Sequence, residues 1–159
     1  MAKGIVISPE KCIGCRICEL ACSFVKHDSF NPKDSAISVF SYDQVGLQVP
    51  MTCLQCDDPY CMKVCTVNAI TKDPKTGLVE VDHEKCIGCK MCVSACPFGN
   101  MTYSIRLKQV IKCDLCDGTP QCVALCPTGA LEFKELDGRL KKRKNITELF
   151  SDVFAEVTK

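Results

Sequence analysis

Cysteine is the residue type in this sequence whose number and spacing most directly specify chemistry. Sixteen of the 159 residues are cysteines, and they form four groups of four. In each group the first gap is two residues and the last gap is three, while the middle gap varies from two to five. Thiolates this close together in sequence are typical metal ligands. The groups are motif one (Cys12, Cys15, Cys18, Cys22), motif two (Cys53, Cys56, Cys61, Cys65), motif three (Cys86, Cys89, Cys92, Cys96) and motif four (Cys113, Cys116, Cys122, Cys126).

Disulfides and zinc are the alternative explanations for so many cysteines. A secreted disulfide scaffold would carry a signal peptide, but residues 1–11 show neither an apolar segment nor a small-residue cleavage site. We therefore expect a reducing cytoplasm, where close-set cysteines bind metal. Zinc sites generally combine two C-x2-C pairs that lie far apart, whereas motifs one and three each place three cysteines within seven residues. This spacing favours [4Fe-4S] clusters, in which each thiolate binds a different iron of one compact cubane.

The four motifs form an internal repeat. Motif one (EKCIGCRICELAC) matches motif three (EKCIGCKMCVSAC), and motif two matches motif four, so the order is A-B-A-B. The flanking segments indicate which motifs belong together: residues 4–7 resemble 78–81, and residues 129–133 resemble 68–72. Between motifs two and three, a hairpin is predicted with strands near Ala69–Ile70 and Val79–Val81. The equivalent terminal strands should then pair without a covalent turn, which joins motif one to motif four.

Residues 53–97 resemble a complete bacterial two-cluster ferredoxin, with a hairpin between two cysteine motifs and Pro97 after the second. In such ferredoxins the fourth cysteine of each motif ligates the other cluster. Applied to both pairs of motifs, the resemblance implies four [4Fe-4S] clusters and uses all the cysteines. The implied ligand sets are site A (Cys12, Cys15, Cys18, Cys126), site B (Cys22, Cys113, Cys116, Cys122), site C (Cys53, Cys56, Cys61, Cys96) and site D (Cys65, Cys86, Cys89, Cys92).

The cluster interpretation implies roles for residues around the cysteines. We expect Gly14 and Gly88, which lack a Cβ, to let backbone N–H groups approach the sulfurs. The fourth cysteine of each motif should begin a helix. His27 and His83 lie in no metal or nucleophile signature, and we expect both at the surface. The side chains expected to cover the clusters are Ile13, Val67, Ile70, Ile87 and Leu131.

The expected fold class is α+β, with one ferredoxin-like unit nested inside another. The outer unit comprises residues 1–52 and 98–138, and the inner unit comprises residues 53–97. Alternating apolar residues predict two further strands within 37–49 and a strand pair within residues 100–112, where the alternation runs from Met101 to Leu107. Residues 139–159 contain a basic run, and the spacing of their apolar residues predicts an amphipathic helix. The sequence leaves open whether that helix packs on its own domain or docks on a partner.

Composition disfavours several classes of function. The formal net charge is +1, but thiolate-bound cubanes add negative charge, so the balance does not indicate nucleic-acid binding. No apolar run approaches the length of a transmembrane helix, and no phosphate-binding loop or catalytic constellation is visible. We therefore expect a non-catalytic, cytoplasmic carrier of electrons with no direct membrane span.

Over nearly the whole chain, the four motifs in this order resemble the four-cluster, ferredoxin-like electron-transfer subunits of anaerobic oxidoreductases. The iron–sulfur subunits of formate dehydrogenases, formate-linked hydrogenases and DMSO-reductase-type enzymes belong to this group. Two segments, CDLCDGTPQC and CSFVKHDSFNP, are most similar to subunits that accompany tungsten aldehyde:ferredoxin oxidoreductases. As departures, Ser23 and Thr66 stand where plain ferredoxins have proline after the fourth cysteine.

The resemblance implies two partners for the chain. One is a large catalytic subunit with a molybdenum or tungsten pterin cofactor, which would oxidise an aldehyde or formate. The other is a further electron donor or acceptor. A free polyferredoxin and an iron–sulfur maturation or assembly factor are the alternatives.

Overall fold

The computed structural model describes residues 3–135. The basic run and amphipathic helix predicted within residues 139–159 lie outside this range. The described residues form an α+β structure with four short α-helices and four two-stranded antiparallel sheets. The helices are α1 (Ile17–His27), α2 (Tyr60–Lys63), α3 (Met91–Ala95) and α4 (Gln121–Ala124). The strands are β1 (Lys3–Ile7), β2 (Ile37–Tyr42), β3 (Leu47–Thr52), β4 (Ile70–Lys72), β5 (Val79–Val81), β6 (Thr102–Ser104), β7 (Gln109–Ile111) and β8 (Leu131–Glu135).

The two ends of the described chain meet in one sheet. Strand β1 pairs antiparallel with β8, with Ile5 opposite Phe133 and Ile7 opposite Leu131. This confirms the predicted pairing of the N-terminal strand with the strand after motif four. In the equivalent hairpin, β4 pairs with β5. The two sheets extend alike at one end: the Ser8 N–H donates to the Ala130 carbonyl at 2.8 Å, and in the hairpin the Asp82 N–H donates to Ala69 at 2.7 Å.

The buried side chains form two cores, each of which includes cysteines. The first, here called the terminal core, contains Ile5, Ile7, Ile37, Val39 and Leu131, with six cysteines of motifs one and four and Cys53 in or against it. The second, the central core, contains Ile70, Val79, Met101 and Val110, with cysteines of motifs two and three. Helix α1 packs against α4, and α2 packs against α3. Motif one therefore lies with motif four, and motif two with motif three.

The repeat is also visible in the backbone around the cysteines. Gly14 and Gly88 both have a φ of +69°. Arg16 and Lys90, two residues further on, also have positive φ and immediately precede α1 and α3. Left-handed residues turn the chain sharply, so motifs one and three each wrap a loop that then enters a helix.

A buried carboxylate joins the segment before β2 to the β6–β7 hairpin. Asp34 is 1% exposed and accepts hydrogen bonds from Ser104 Oγ at 2.5 Å and from Arg106 Nε at 2.8 Å. Burial alone would raise the pKa of Asp34, but the hydrogen bonds from Ser104 and Arg106 hold it below its ordinary value. This contact ties together two segments that are 70 residues apart in sequence.

The strand pair predicted within residues 100–112 is confirmed by the pairing of β6 with β7, and Ile105, in the connection between them, is 83% exposed. One sequence-based expectation about local structure is wrong. The fourth cysteine of a motif does not begin a helix: Cys22 lies inside α1, Cys65 and Cys126 follow α2 and α4, and Cys96 caps the end of α3. The third cysteine of each motif is the one that lies in the first turns of a helix. Among residues 3–135, no helix has the length and apolarity needed to cross a membrane.

Candidate metal centres

A cavity in the structure brings together the four cysteines predicted for site C. Cys53, Cys56 and Cys61 of motif two line it together with Cys96 of motif three. Burial raises the pKa of Cys61 to about 11, and the neighbouring charges of Cys53 and Cys96 act in the same direction. A cavity lined by four cysteines suits a cubane, whose irons each take one thiolate.

The cysteines predicted for site B also lie near one another. Burial raises the pKa of Cys122, and the next causes are the charges of Cys113 and Cys22. Cys22 likewise acts on Cys116, although motif one is distant from motif four in sequence. Close by, Lys26 Nζ of α1 contacts Asp114 Oδ2 of motif four at 2.5 Å. The fourth cysteine of motif one is therefore held beside motif four.

For sites A and D, the structure places the first three cysteines of each motif together. Burial is the main reason that the pKa of Cys18 is raised to about 12. The charges of Glu19, Cys15 and Cys12 also raise it, in that order. Burial also raises the pKa of Cys92, with Cys86 and Cys89 among the further causes. The remaining predicted ligands share a core with these groups: Cys126 packs against the terminal core and Cys65 against the central core.

Backbone N–H groups donate to the fourth cysteine of three motifs. The Ala36 N–H donates to Cys22 Sγ at 3.4 Å, and the Ala69 N–H donates to Cys65 Sγ at 3.2 Å. Burial alone would raise the pKa of Cys126, but hydrogen bonds from the backbone after it, the Leu131 N–H first, lower that pKa. Such donors stabilise negative charge on a thiolate sulfur. The sequence offered no means of finding the Ala36 donor, because it lies 14 residues from its acceptor.

Gly14 and Gly88 both have a backbone conformation that favours glycine. At a φ of +69°, a side chain at either position would strain the backbone. A Cβ on Gly14 would also come within 2.9 Å of Gln48 Oε1, whereas one on Gly88 would meet the Tyr103 ring at an ordinary 3.5 Å. Approach of their N–H groups to sulfur stays a prediction.

The residues expected to cover the clusters divide into two groups. Ile70 and Leu131 are buried, and Val67 is half-buried. Ile13 and Ile87 are 66% and 67% exposed, so they lie at the protein surface beside their motifs and not in a core.

The histidines lie closer together than their sequence positions suggest. Both line one cavity, together with Cys22 and Asp34. His83 is exposed, as predicted, but His27 is half-buried, so the expectation of a surface position is wrong for it. Burial lowers the pKa of His27. The charge of Asp34 opposes this shift, whereas the charges of Arg106 and Lys26 lower the pKa further.

Sequence reasoning missed two polar residues near the cysteines. Glu19 lies between Cys18 and Cys22, is 4% exposed, and accepts a hydrogen bond from the Val39 N–H at 2.6 Å. Gln55, between the first two cysteines of motif two, is 1% exposed and joins motif two to motif four. Neither position shows a recognisable pattern, because what makes each one special is a tertiary contact.

Within residues 3–135, no group of three or more His, Cys, Asp or Glu side chains is arranged to hold a single metal ion. A [4Fe-4S] cubane does not require ligands that converge on one ion, because its four thiolates bind four separate irons. The cysteine loops, the hairpin-like sheets and the cavity at site C together define a ferredoxin-like iron–sulfur protein.

Comparison with known families agrees with this class. Residues 45–136, more than half of the chain, match the model of the 4Fe-4S dicluster domain, and residues 5–24 match that of a 4Fe-4S binding domain. The chain belongs to the 4Fe-4S dicluster domain family. The two matched regions contain all four motifs, and the chain accordingly carries multiple [4Fe-4S] clusters.

Similar proteins are electron-transfer components. The chain is 45% identical over 112 residues to the polyferredoxin-like subunit of an aliphatic sulfonate oxidoreductase from Pyrococcus furiosus, covering 70% of this chain and 64% of that subunit. It is 38% identical over 138 residues to the electron transport protein HydN of Escherichia coli K12, covering 74% of this chain and 77% of HydN. Among solved structures, a chain of the active site complex BamBC of benzoyl coenzyme A reductase with benzoyl-CoA matches with a TM-score of 0.51 and 27% identity, covering 99% and 98% of the two chains. The chain is thus an electron-transfer iron–sulfur protein related to oxidoreductase subunits.

Proposed function

We propose that the chain is a non-catalytic relay subunit that holds four [4Fe-4S] clusters at sites A to D. When bound, each cluster accepts and donates one electron. The chain's own part is to supply sixteen thiolates, to place N–H donors on some of them, and to keep the clusters near one another. The observation that carries the proposal is the cavity at site C, because cysteines of motifs two and three line it together.

The composition of the terminal core supports the placement of sites A and B in an outer unit. Cysteines of motifs one and four gather in the terminal core, and the strands flanking them pair as β1 and β8. We therefore assign residues 1–52 and 98–138 to an outer ferredoxin-like unit and residues 53–97 to an inner one. Cys53 packs against the terminal core although it belongs to the inner unit, which supports direct contact between the units.

The proposed partners are a large catalytic subunit with a molybdenum or tungsten pterin cofactor and a second redox protein. The names of related proteins, as subunits of a sulfonate oxidoreductase and of a benzoyl-CoA reductase complex, support a subunit role. The resemblance in motifs one and four supports the pterin partner and an aldehyde or formate as its substrate. Exposed Ile13 and Ile87 provide apolar surface beside sites A and D.

Anaerobic purification from the native organism, without crosslinking, tests this function. We expect a large chain to co-purify in fixed ratio with this one, with molybdenum or tungsten in the same peak and sixteen irons per copy of this chain. Iron near half that value after anaerobic reconstitution would exclude four clusters. A lone, iron-rich chain would identify a free polyferredoxin, and clusters that are readily transferred to apo-proteins would identify an assembly factor.

A further inference from the structure

Lys112 lies at the boundary between sites B and C. It immediately precedes Cys113 of site B, and it lines the cavity formed by the cysteines of site C. It also lines the neighbouring cavity that contains Cys22, the fourth predicted ligand of site B. One ammonium group is therefore close to two proposed clusters, one in each ferredoxin-like unit.

A buried amide holds this ammonium group in place. Lys112 Nζ donates to Gln55 Oε1 at 3.3 Å, to the Cys113 carbonyl at 3.0 Å, and to the Val79 carbonyl. Gln55 is fixed in turn, because its Nε2 donates to the Cys113 carbonyl at 2.8 Å and its Oε1 accepts from the Val79 N–H at 2.9 Å. The network spans motif two, β5 and motif four, so it fixes the cation relative to both units.

Two other lysines occupy the same position relative to a motif but have different surroundings. Lys11 and Lys85 precede the first cysteines of motifs one and three. Each faces a carboxylate: Lys11 Nζ is 3.7 Å from Glu132 Oε1, and Lys85 Nζ is 2.8 Å from Asp82 Oδ2. Both side chains are about half exposed or more, at 49% and 63%. In the described part of the chain, Lys112 Nζ donates to the neutral oxygens of Gln55, Val79 and Cys113, so these hydrogen bonds do not neutralise its charge.

Lys112 lies beside cysteines of both sites. It lines the same cavity as Cys61 and the other cysteines of site C, and it is adjacent in sequence to Cys113 of site B. A fixed cation that favours a thiolate also favours the extra electron of a reduced cluster, because both add negative charge in a medium of low dielectric constant.

We propose that Lys112 is a positioning residue shared by sites B and C, which raises the reduction potentials of both clusters and makes them the junction for electrons passing between the two units. The proposal rests on the function and ligand sets proposed above. Gln55 orients the ammonium group of Lys112, and that ammonium group supplies the charge.

The test is a potentiometric titration of the full-length, anaerobically purified chain, followed by EPR spectroscopy. Lys112→Gln keeps a hydrogen-bond donor and removes the charge, while Lys112→Arg keeps the charge. Lys11→Gln and Lys85→Gln are matched controls at exposed, ion-paired positions. Cys56→Ser and Cys116→Ser identify the EPR signals of sites C and B.

We expect the midpoint potentials of sites B and C to shift to more negative values in Lys112→Gln, with little change in Lys112→Arg or at sites A and D. Lys11→Gln and Lys85→Gln should each shift the midpoint potential of the nearest cluster by less than Lys112→Gln shifts the potential of site B or of site C. Four unchanged potentials, or a shift confined to one cluster, would overturn the shared role. If Lys112→Gln lost iron while Lys112→Arg kept its full iron content, the charge of Lys112 would be needed for cluster assembly. That result would also overturn the proposal. A wild-type chain with fewer than four reducible clusters would instead contradict the proposed function.

Discussion

The backbone N–H of Ala36 donates to Cys22 Sγ at 3.4 Å. Ala36 lies just before β2, outside all four cysteine motifs, whereas Cys22 lies in α1 and is assigned to site B. In the proposed ligand sets, the acceptor is a ligand contributed by one motif to the cluster of another, and its donor comes from a third segment. The segment between motifs one and two therefore contributes to the electrostatics of site B as well as to the core.

Replacing this donor should change one potential selectively. Ala36→Pro removes the N–H, and Ser35 before it has an extended backbone that tolerates a following proline. Because N–H donors to sulfur stabilise the reduced cluster, we expect the midpoint potential of site B to become more negative in Ala36→Pro. Ala36→Gly, which keeps the N–H, should leave it unchanged. Equal shifts in the two variants would show that loss of the hydrogen bond is not responsible, because Ala36→Gly keeps the N–H.

The proposed exchange of fourth cysteines between motifs predicts which cluster each substitution affects. Cys96 belongs to motif three in sequence but lines the cavity of Cys53, Cys56 and Cys61. We expect Cys96→Ser to alter the EPR signal and potential of site C and to leave site D intact. Likewise, Cys126→Ser should disturb the cluster of Cys12, Cys15 and Cys18. If either substitution changed the cluster of its own motif instead, the nested ligand sets would be wrong.

The repeat explains which features could be predicted from sequence. Because segments 4–7 and 129–133 each resemble one strand of a covalent hairpin, the β1–β8 pairing follows from analogy within the chain. Alternation alone does not locate the β6–β7 turn, because Ile105 continues the period but lies within that turn. The Lys112–Gln55 network was not predictable, since Gln55 resembles any residue between two cysteines until motif two packs on motif four. The repeat thus predicts the pairing within each unit, and tertiary packing determines the contacts between units.

Gly14 and Gly88 occupy equivalent positions but should differ in tolerance to alanine. A left-handed non-glycine residue costs roughly 1–2 kcal/mol, and this cost applies to both variants. Only Gly14→Ala also places a Cβ within 2.9 Å of Gln48 Oε1, which itself accepts a hydrogen bond from Ser41 Oγ at 2.6 Å. We expect Gly14→Ala to lose its clusters faster in urea than Gly88→Ala, as followed by visible absorbance.

The Gln48→Ala background provides the control for that difference. Removing the Gln48 side chain removes the close contact but not the backbone cost, so the two glycine variants should then lose their clusters at similar rates. A difference that persists in this background would mean that contact with Gln48 is not its cause.

The Asp34–Arg106 ion pair predicts a stability effect with a defined pH dependence. Hydrogen bonds to a charged group contribute about 1.5–3 kcal/mol, but Arg106 is half exposed, so we expect Arg106→Gln to cost about 1 kcal/mol. Since the pKa of Asp34 is lowered in the folded protein, the stabilisation is fully present above its unfolded pKa and is lost as pH falls through the folded value. The penalty should therefore be constant from pH 5 to 8 and should decrease only below about pH 4.

Unfolding rates in urea, followed by circular dichroism, measure this penalty, and 1 kcal/mol corresponds to about a fivefold change in rate. Wild-type Arg106 and Arg106→Gln should be compared in a His27→Gln background. Arg106 also lowers the pKa of His27, so the titration of His27 would otherwise add its own pH dependence to the penalty. Lys108→Gln removes an exposed cation from the same turn and should have little effect. A penalty that changes between pH 5 and 8 in this background would show that Arg106 acts through a group other than Asp34.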